Sequence, residues 1–169
     1  EYVQIPENMQ IDLGAVGKGY TGDLVVEILK ENSIESALLD LGGNIQTIGT
    51  KPDGTDWKIG LRSPFDEGNF ATFVGDDGET YWHILDPKTG KPAHSGLISV
   101  TVIGDEGRLC DALSTSLFVM GLEKATELWR NRDDFEMILV TEDGKIYLTE
   151  ALENQFSLNQ MYGNLQTEV

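Results

Sequence analysis

Apolar residues fall along the chain in short runs separated by glycine, proline and acidic residues, with a helical period in some stretches and a strand period in others. The first dozen residues read as extended, with a turn around Pro6-Glu7-Asn8. From about Thr21 to Asn32, Leu24, Val25, Ile28 and Leu29 share one face, which predicts an amphipathic helix. Ala37 to Leu41 is an apolar run halted by Gly42-Gly43. Two strands are predicted next, Ile45–Ile48 and Trp57–Leu61, joined across the Pro52-Asp53-Gly54 turn. Residues 62–80 read as loop, with a short strand at Ala71–Val74. Trp82–Leu85 and Ser99–Ile103 follow as strands, then helices at Asp111–Met120 and Glu123–Asn131 broken at Gly121. A hairpin, Met137–Thr141 and Ile146–Thr149, turns at Asp143-Gly144. Helices set between largely antiparallel strands predict an α+β fold with a mixed sheet.

Composition narrows this picture. A length of 169 residues with 40% hydrophobic content suits a single domain with a real core. No apolar run approaches the roughly 18–20 residues that span a bilayer, and no N-terminal stretch has the pattern of a signal peptide. The net charge of −17, from 29 acidic against 12 basic residues, repels phosphate backbones and excludes nucleic acid as an expected partner. An anionic small ligand would need a local device: a metal ion, a helix N-terminus or one placed lysine. The single cysteine, Cys110, leaves no internal disulfide and no cysteine-cluster metal site. With no histidine beside it in sequence, it reads as a buried, inert thiol.

Three blocks carry candidate chemistry. In Asp111-Ala112-Leu113-Ser114-Thr115, helical spacing puts Asp111, Ser114 and Thr115 on one face, an all-oxygen donor set suited to Mg²⁺. The same spacing also allows Asp111 to be a helix N-cap, and Asp before an apolar periodic run is among the commonest helix start signals. In His83-Ile84-Leu85-Asp86-Pro87-Lys88-Thr89-Gly90-Lys91-Pro92, a rigid turn after a strand fixes His83, which could act as a general base or simply belong to the strand. His94, in a polar loop, reads as unrelated to catalysis. In Asp12-Leu13-Gly14-Ala15-Val16-Gly17-Lys18-Gly19-Tyr20, a glycine-rich bend, a lysine and a helix follow the logic of a phosphate cradle. The spacing is neither a Walker loop nor a dinucleotide fingerprint, and a plain turn before a helix remains open.

These blocks, with Gly42-Gly43-Asn44 and Ser99-Val100-Thr101-Val102, resemble in the same order those of the FAD:protein FMN transferases, formerly described as thiamine-biosynthesis lipoproteins. The resemblance runs over nearly the whole chain. It implies Mg²⁺-dependent cleavage of FAD, transfer of FMN to a Thr or Ser hydroxyl of a target flavoprotein, and release of AMP. By motif position it implies Asp111, Thr115 and nearby Ser114 as metal ligands, with the backbone carbonyl of Gly17, where family members commonly have Ala. His83 would be the base; Gly14, Lys18, Tyr20 and Leu85 would line the FAD site.

Family members are about twice this length, so the resemblance implies the C-terminal catalytic portion of the family fold. They also carry a Thr-Ser-Gly segment before the His83 turn, where this chain runs through Asn69-Phe70-Ala71-Thr72, so residues are expected to be missing between 69 and 70. An extracytoplasmic location, with membrane attachment only through a lipid anchor outside this chain, is a further implication. FAD hydrolysis to FMN and AMP, and a non-catalytic flavin-binding module, are the alternative functions.

Overall fold

A computed structural model describes residues 2–65, 73–74, 80–81, 83–163 and 165–169. Helix α1, Gly17–Glu31, is followed by a hairpin of β1, Ala37–Leu41, and β2, Asn44–Ile48. Two short strands, β3 (Phe73–Val74) and β4 (Thr80–Tyr81), pair antiparallel. Strand β5, Leu97–Gly104, leads into helix α2, Gly107–Arg130. Strands β6 (Phe135–Thr141) and β7 (Ile146–Leu148) continue the sheet antiparallel, and β8 (Thr167–Glu168) closes it in parallel, in the order β5-β6-β7-β8.

The core sits on both faces of this sheet. On one face Phe135, Met137 and Leu139 meet Leu113, Leu117 and Ala125 of α2. On the other, Ile138 and Val140 pack with Ile146, Leu148 and Leu152, the last from a 3₁₀ turn at Glu150–Leu152. Burial on both sides is why β6 reads as the nearly unbroken apolar run Met-Ile-Leu-Val rather than as an alternation. Among the described residues no helix is long and apolar enough to cross a membrane.

Several predicted elements shift, each for a physical reason. Helix α1 starts at Gly17, not Thr21, because its buried residues are Gly19 and Gly22, where the backbone itself presses on its neighbours; that contact outweighs poor helix propensity. Of the predicted apolar face, Leu24 and Ile28 stay exposed. Helix α2 starts at Gly107, four residues before Asp111, and Gly121 breaks it with φ 76° and ψ 173°. A Cβ there would stand 2.9 Å from the Ser95 carbonyl, so both conformation and space call for glycine.

Residues 57–61 form no strand: Ile45–Ile48 pairs instead with Ala37–Leu41. Gly42 and Gly43, at φ 65° and 103°, supply a two-residue hairpin turn that closes locally and leaves no need for a partner across the Pro52 turn. The predicted strand at 82–85 gives way to β4, with Leu85 in an isolated bridge to Pro92. Trp82, Ala71-Thr72 and the Asn69-Phe70 junction lie outside the described residues.

Candidate active site

Helices α1 and α2 meet at glycines. A Cβ on Gly19 would overlap the Gly107 carbonyl and lie 2.6 Å from the Arg108 nitrogen. This approach lets the Gly19 N–H donate to Asp111 Oδ2 at 2.6 Å, while Asn44 Nδ2, from β2, donates to Asp111 Oδ1 at 2.8 Å. Asp111 is therefore not a helix cap. The N-terminal amides of α2 are satisfied from α1: Asp23 Oδ1 accepts the Gly107 N–H at 2.7 Å and Oδ2 accepts the Arg108 N–H at 3.0 Å. A cap supplied by another helix cannot be read from local spacing.

The Asp111 carboxylate, half-buried, has one N–H donor on each oxygen and no cationic side chain paired with it among the described residues. Lone pairs and charge remain for a cation. Among the described residues no three His, Cys, Asp or Glu side chains cluster as a metal site. The donor set is thus one carboxylate with hydroxyls and carbonyls, which fits Mg²⁺ held partly by a ligand's phosphate oxygens. Nearby, burial pushes the Cys110 thiol up to about 11, with Asp111, Asp23 and Asp105 adding negative field, so it stays protonated and unreactive near neutrality.

Two cavities adjoin α2. The first, of 270 Å³, is lined by His83, Ser99, Ser114, Thr115 and apolar neighbours including Phe118. The turn holding His83 is braced by Asp86 N–H to the Lys91 carbonyl at 2.8 Å, Gly90 N–H to the Asp86 carbonyl at 2.8 Å, and Ala93 N–H to the Ile84 carbonyl at 3.0 Å. The structure thereby gathers His83, Ser114 and Thr115, separated in sequence by a strand, around one space. Ser114 Oγ donates to the Asp111 carbonyl at 2.9 Å, one turn back.

The second cavity, of 470 Å³, is largely apolar, with Leu13, Val16, Tyr20, Leu109 and Ala112 beside Gly17 and the Glu106–Arg108 ion pair. Tyr20, half-exposed, and Gly17 are the sequence-predicted residues it contains. Lys18 Nζ donates to the Gly42 carbonyl at 3.0 Å, tying the bend to the hairpin, and the Gly14 N–H donates to Asp12 Oδ1 at 2.6 Å. Leu85 is exposed in its bridge to Pro92. Gly14, Lys18 and Leu85 line neither cavity.

The Gly17 carbonyl accepts the Thr21 hydroxyl at 2.8 Å. A Cβ at Gly17 would meet nothing within 4 Å, so Gly17→Ala is expected to leave activity within about twofold and to raise stability by up to about 1 kcal/mol. A urea melt with a parallel activity assay checks it; a destabilised protein would show that the bend needs glycine. Sequence reasoning missed Asp23, Gln46 and the apolar wall of the second cavity.

Residues 3–139 match the ApbE family. The chain is 35% identical over 174 residues to the FAD:protein FMN transferase of Klebsiella pneumoniae, covering 92% of this chain and 53% of that protein. It is 33% identical to the enzyme of the same name from Treponema pallidum, over 82% of this chain and 45% of that one. In structure it resembles the Pseudomonas stutzeri flavinyl transferase ApbE, apo form, with a TM-score of 0.72, 32% identity, and coverage of 89% of this chain and 52% of that one. The flavin transferase ApbE of Vibrio cholerae gives a TM-score of 0.71 at 31% identity, over 85% and 52%. The chain spans about half the length of the curated relatives it matches, and its α+β fold corresponds to part of theirs.

Proposed function

The chain belongs to the ApbE family, and on that premise we propose that it is the C-terminal catalytic portion of an enzyme that moves FMN from FAD onto a Thr or Ser hydroxyl of a target flavoprotein. The observation carrying this reading is the joining of His83, Ser114 and Thr115 around one cavity, with the pinned Asp111 carboxylate one turn back on the same helix. Relatives bearing the name FAD:protein FMN transferase support it.

In the reaction, the acceptor hydroxyl oxygen attacks the phosphorus on the FMN side of the FAD pyrophosphate. The new P–O bond forms as the bond to the bridging oxygen breaks, and AMP leaves. His83 takes the hydroxyl proton; its exposed place on a braced turn lets a protein substrate reach it. Asp111, Thr115, Ser114 and the Gly17 carbonyl would hold Mg²⁺, the last by sharing or displacing Thr21. When bound, the ion would neutralise pyrophosphate charge and polarise the phosphorus. Tyr20 and the apolar wall of the second cavity offer an aromatic and aliphatic surface to the ring systems of FAD. Lys18 supplies a cation near this bend. An extracytoplasmic location for the whole protein, held by a lipid anchor beyond this chain, is part of the same proposal.

His83→Ala is expected to lower transfer by about 100- to 10,000-fold while FAD affinity stays within about twofold. Single-turnover transfer and flavin fluorescence titration measure the two. Transfer at the wild-type rate would sink the base assignment.

A further inference from the structure

Gln46 occupies a slot that glycines make. Its side chain lies where a Cβ on Gly22 or Gly107 would be: such atoms would stand 2.7 Å and 2.9 Å from Gln46 Cδ. From there Nε2 faces three acceptors, each at 3.2 Å: the Gly19 carbonyl, Asp23 Oδ1 and Asn44 Oδ1. With acceptors only around it, the Gln46 amide has one sensible orientation. That in turn orients Asn44, whose Oδ1 must face the Gln46 NH₂ and whose Nδ2 must face Asp111 Oδ1 at 2.8 Å and the Gly107 carbonyl at 3.3 Å. Flipping Asn44 would set an oxygen against the Asp111 carboxylate. A closed ring results: Gly19 N–H, Asp111, Asn44, Gln46 and back to the Gly19 carbonyl.

We propose that Asn44, oriented by Gln46, is a positioning residue that holds the Asp111 carboxylate in one rotamer for the cation. The proposal rests on the metal-dependent reading above. A staple between α1, β2 and α2 would need only the Asp23 bonds to the start of α2 and the Gln46 bonds to α1, none of which touches Asp111. The Asn44 bond is different in kind: it ends on the carboxylate whose remaining lone pairs meet the metal. Partners that orient metal ligands typically contribute about 10- to 100-fold in affinity.

Mn²⁺ binding, followed by electron paramagnetic resonance with FAD present and no acceptor, tests this well below each variant's melting temperature. Asn44→Ala is expected to weaken Mn²⁺ binding at least about 10-fold. Asp23→Asn, which weakens the staple at the start of α2 and one of the three bonds to Gln46 but keeps both donors on Asp111, is expected to lower the melting temperature yet change Mn²⁺ affinity less than about threefold. Should Asn44→Ala not fold, Asn44→Ser keeps a polar group beside Gln46 but is too short to reach Asp111, and the same loss is expected. Wild-type affinity in the folded Asn44 variant, or equal losses in the Asn44 and Asp23 variants, overturns the positioning role alone. A wild-type protein that takes up no Mn²⁺ overturns the metal-dependent reading and this proposal with it.

Discussion

Asp111→Ala is expected to lower FMN transfer by about 1,000-fold or more. The carboxylate is the one anionic ligand in the proposed metal set, so no neighbouring group can substitute for its charge. The same change leaves the Gly19 N–H without its acceptor and the Asn44 NH₂ with only its longer bond to the Gly107 carbonyl. Each is partly buried, and the cost to stability is expected to be about 1–3 kcal/mol. Asp111→Asn does not escape: its amide can accept from one of these two donors only by turning its own NH₂ toward the other. Transfer rates across a Mg²⁺ titration, read beside thermal melts, separate the two effects. Full activity at low Mg²⁺ would remove Asp111 from the ligand set.

Gly19→Ala is expected to produce the largest structural effect, a loss of about 3 kcal/mol or more, because the added methyl would fall on the Gly107 backbone. A flexible side chain could swing aside; a carbonyl at the first turn of α2 cannot move without the helix. Separating α1 from α2 would also lengthen the Gly19–Asp111 bond and open the slot around Gln46. Transfer should fall along with stability. Equilibrium urea unfolding measures the change, and a variant within 1 kcal/mol of wild type would mean that the α1–α2 contact is looser than the geometry implies.

Much of this was readable from the chain, unevenly. Strand β5 and the final hairpin were legible because β-branched and apolar residues bounded by Gly and Asp leave few alternatives. The Gly121 break was legible for the same local reason. Residues 57–61 misled because a strand pattern does not name its partner, and Gly42-Gly43 offered β2 a nearer one. Asp111 misled in a different way. Its local pattern is that of a cap, and only the placement of Asp23 across the helix pair shows the capping already done. The meeting of His83 with Ser114 and Thr115 is a long-range fact, visible in sequence only as the shared order of family blocks. Gln46 was invisible for a subtler reason: a glutamine alternating along a strand looks solvent-facing, and here it faces a slot between glycines.

Covalent transfer of FMN from FAD to a protein hydroxyl is the chemistry proposed for this chain. Incubating it with FAD, Mg²⁺ and a peptide carrying the acceptor threonine, then resolving products by mass spectrometry, tests that claim directly. A flavinylated peptide and AMP in equal amounts are expected, both absent when Mg²⁺ is chelated. FMN and AMP with no adduct would make the protein a pyrophosphatase, and unconsumed FAD a binding module; either result would contradict covalent transfer.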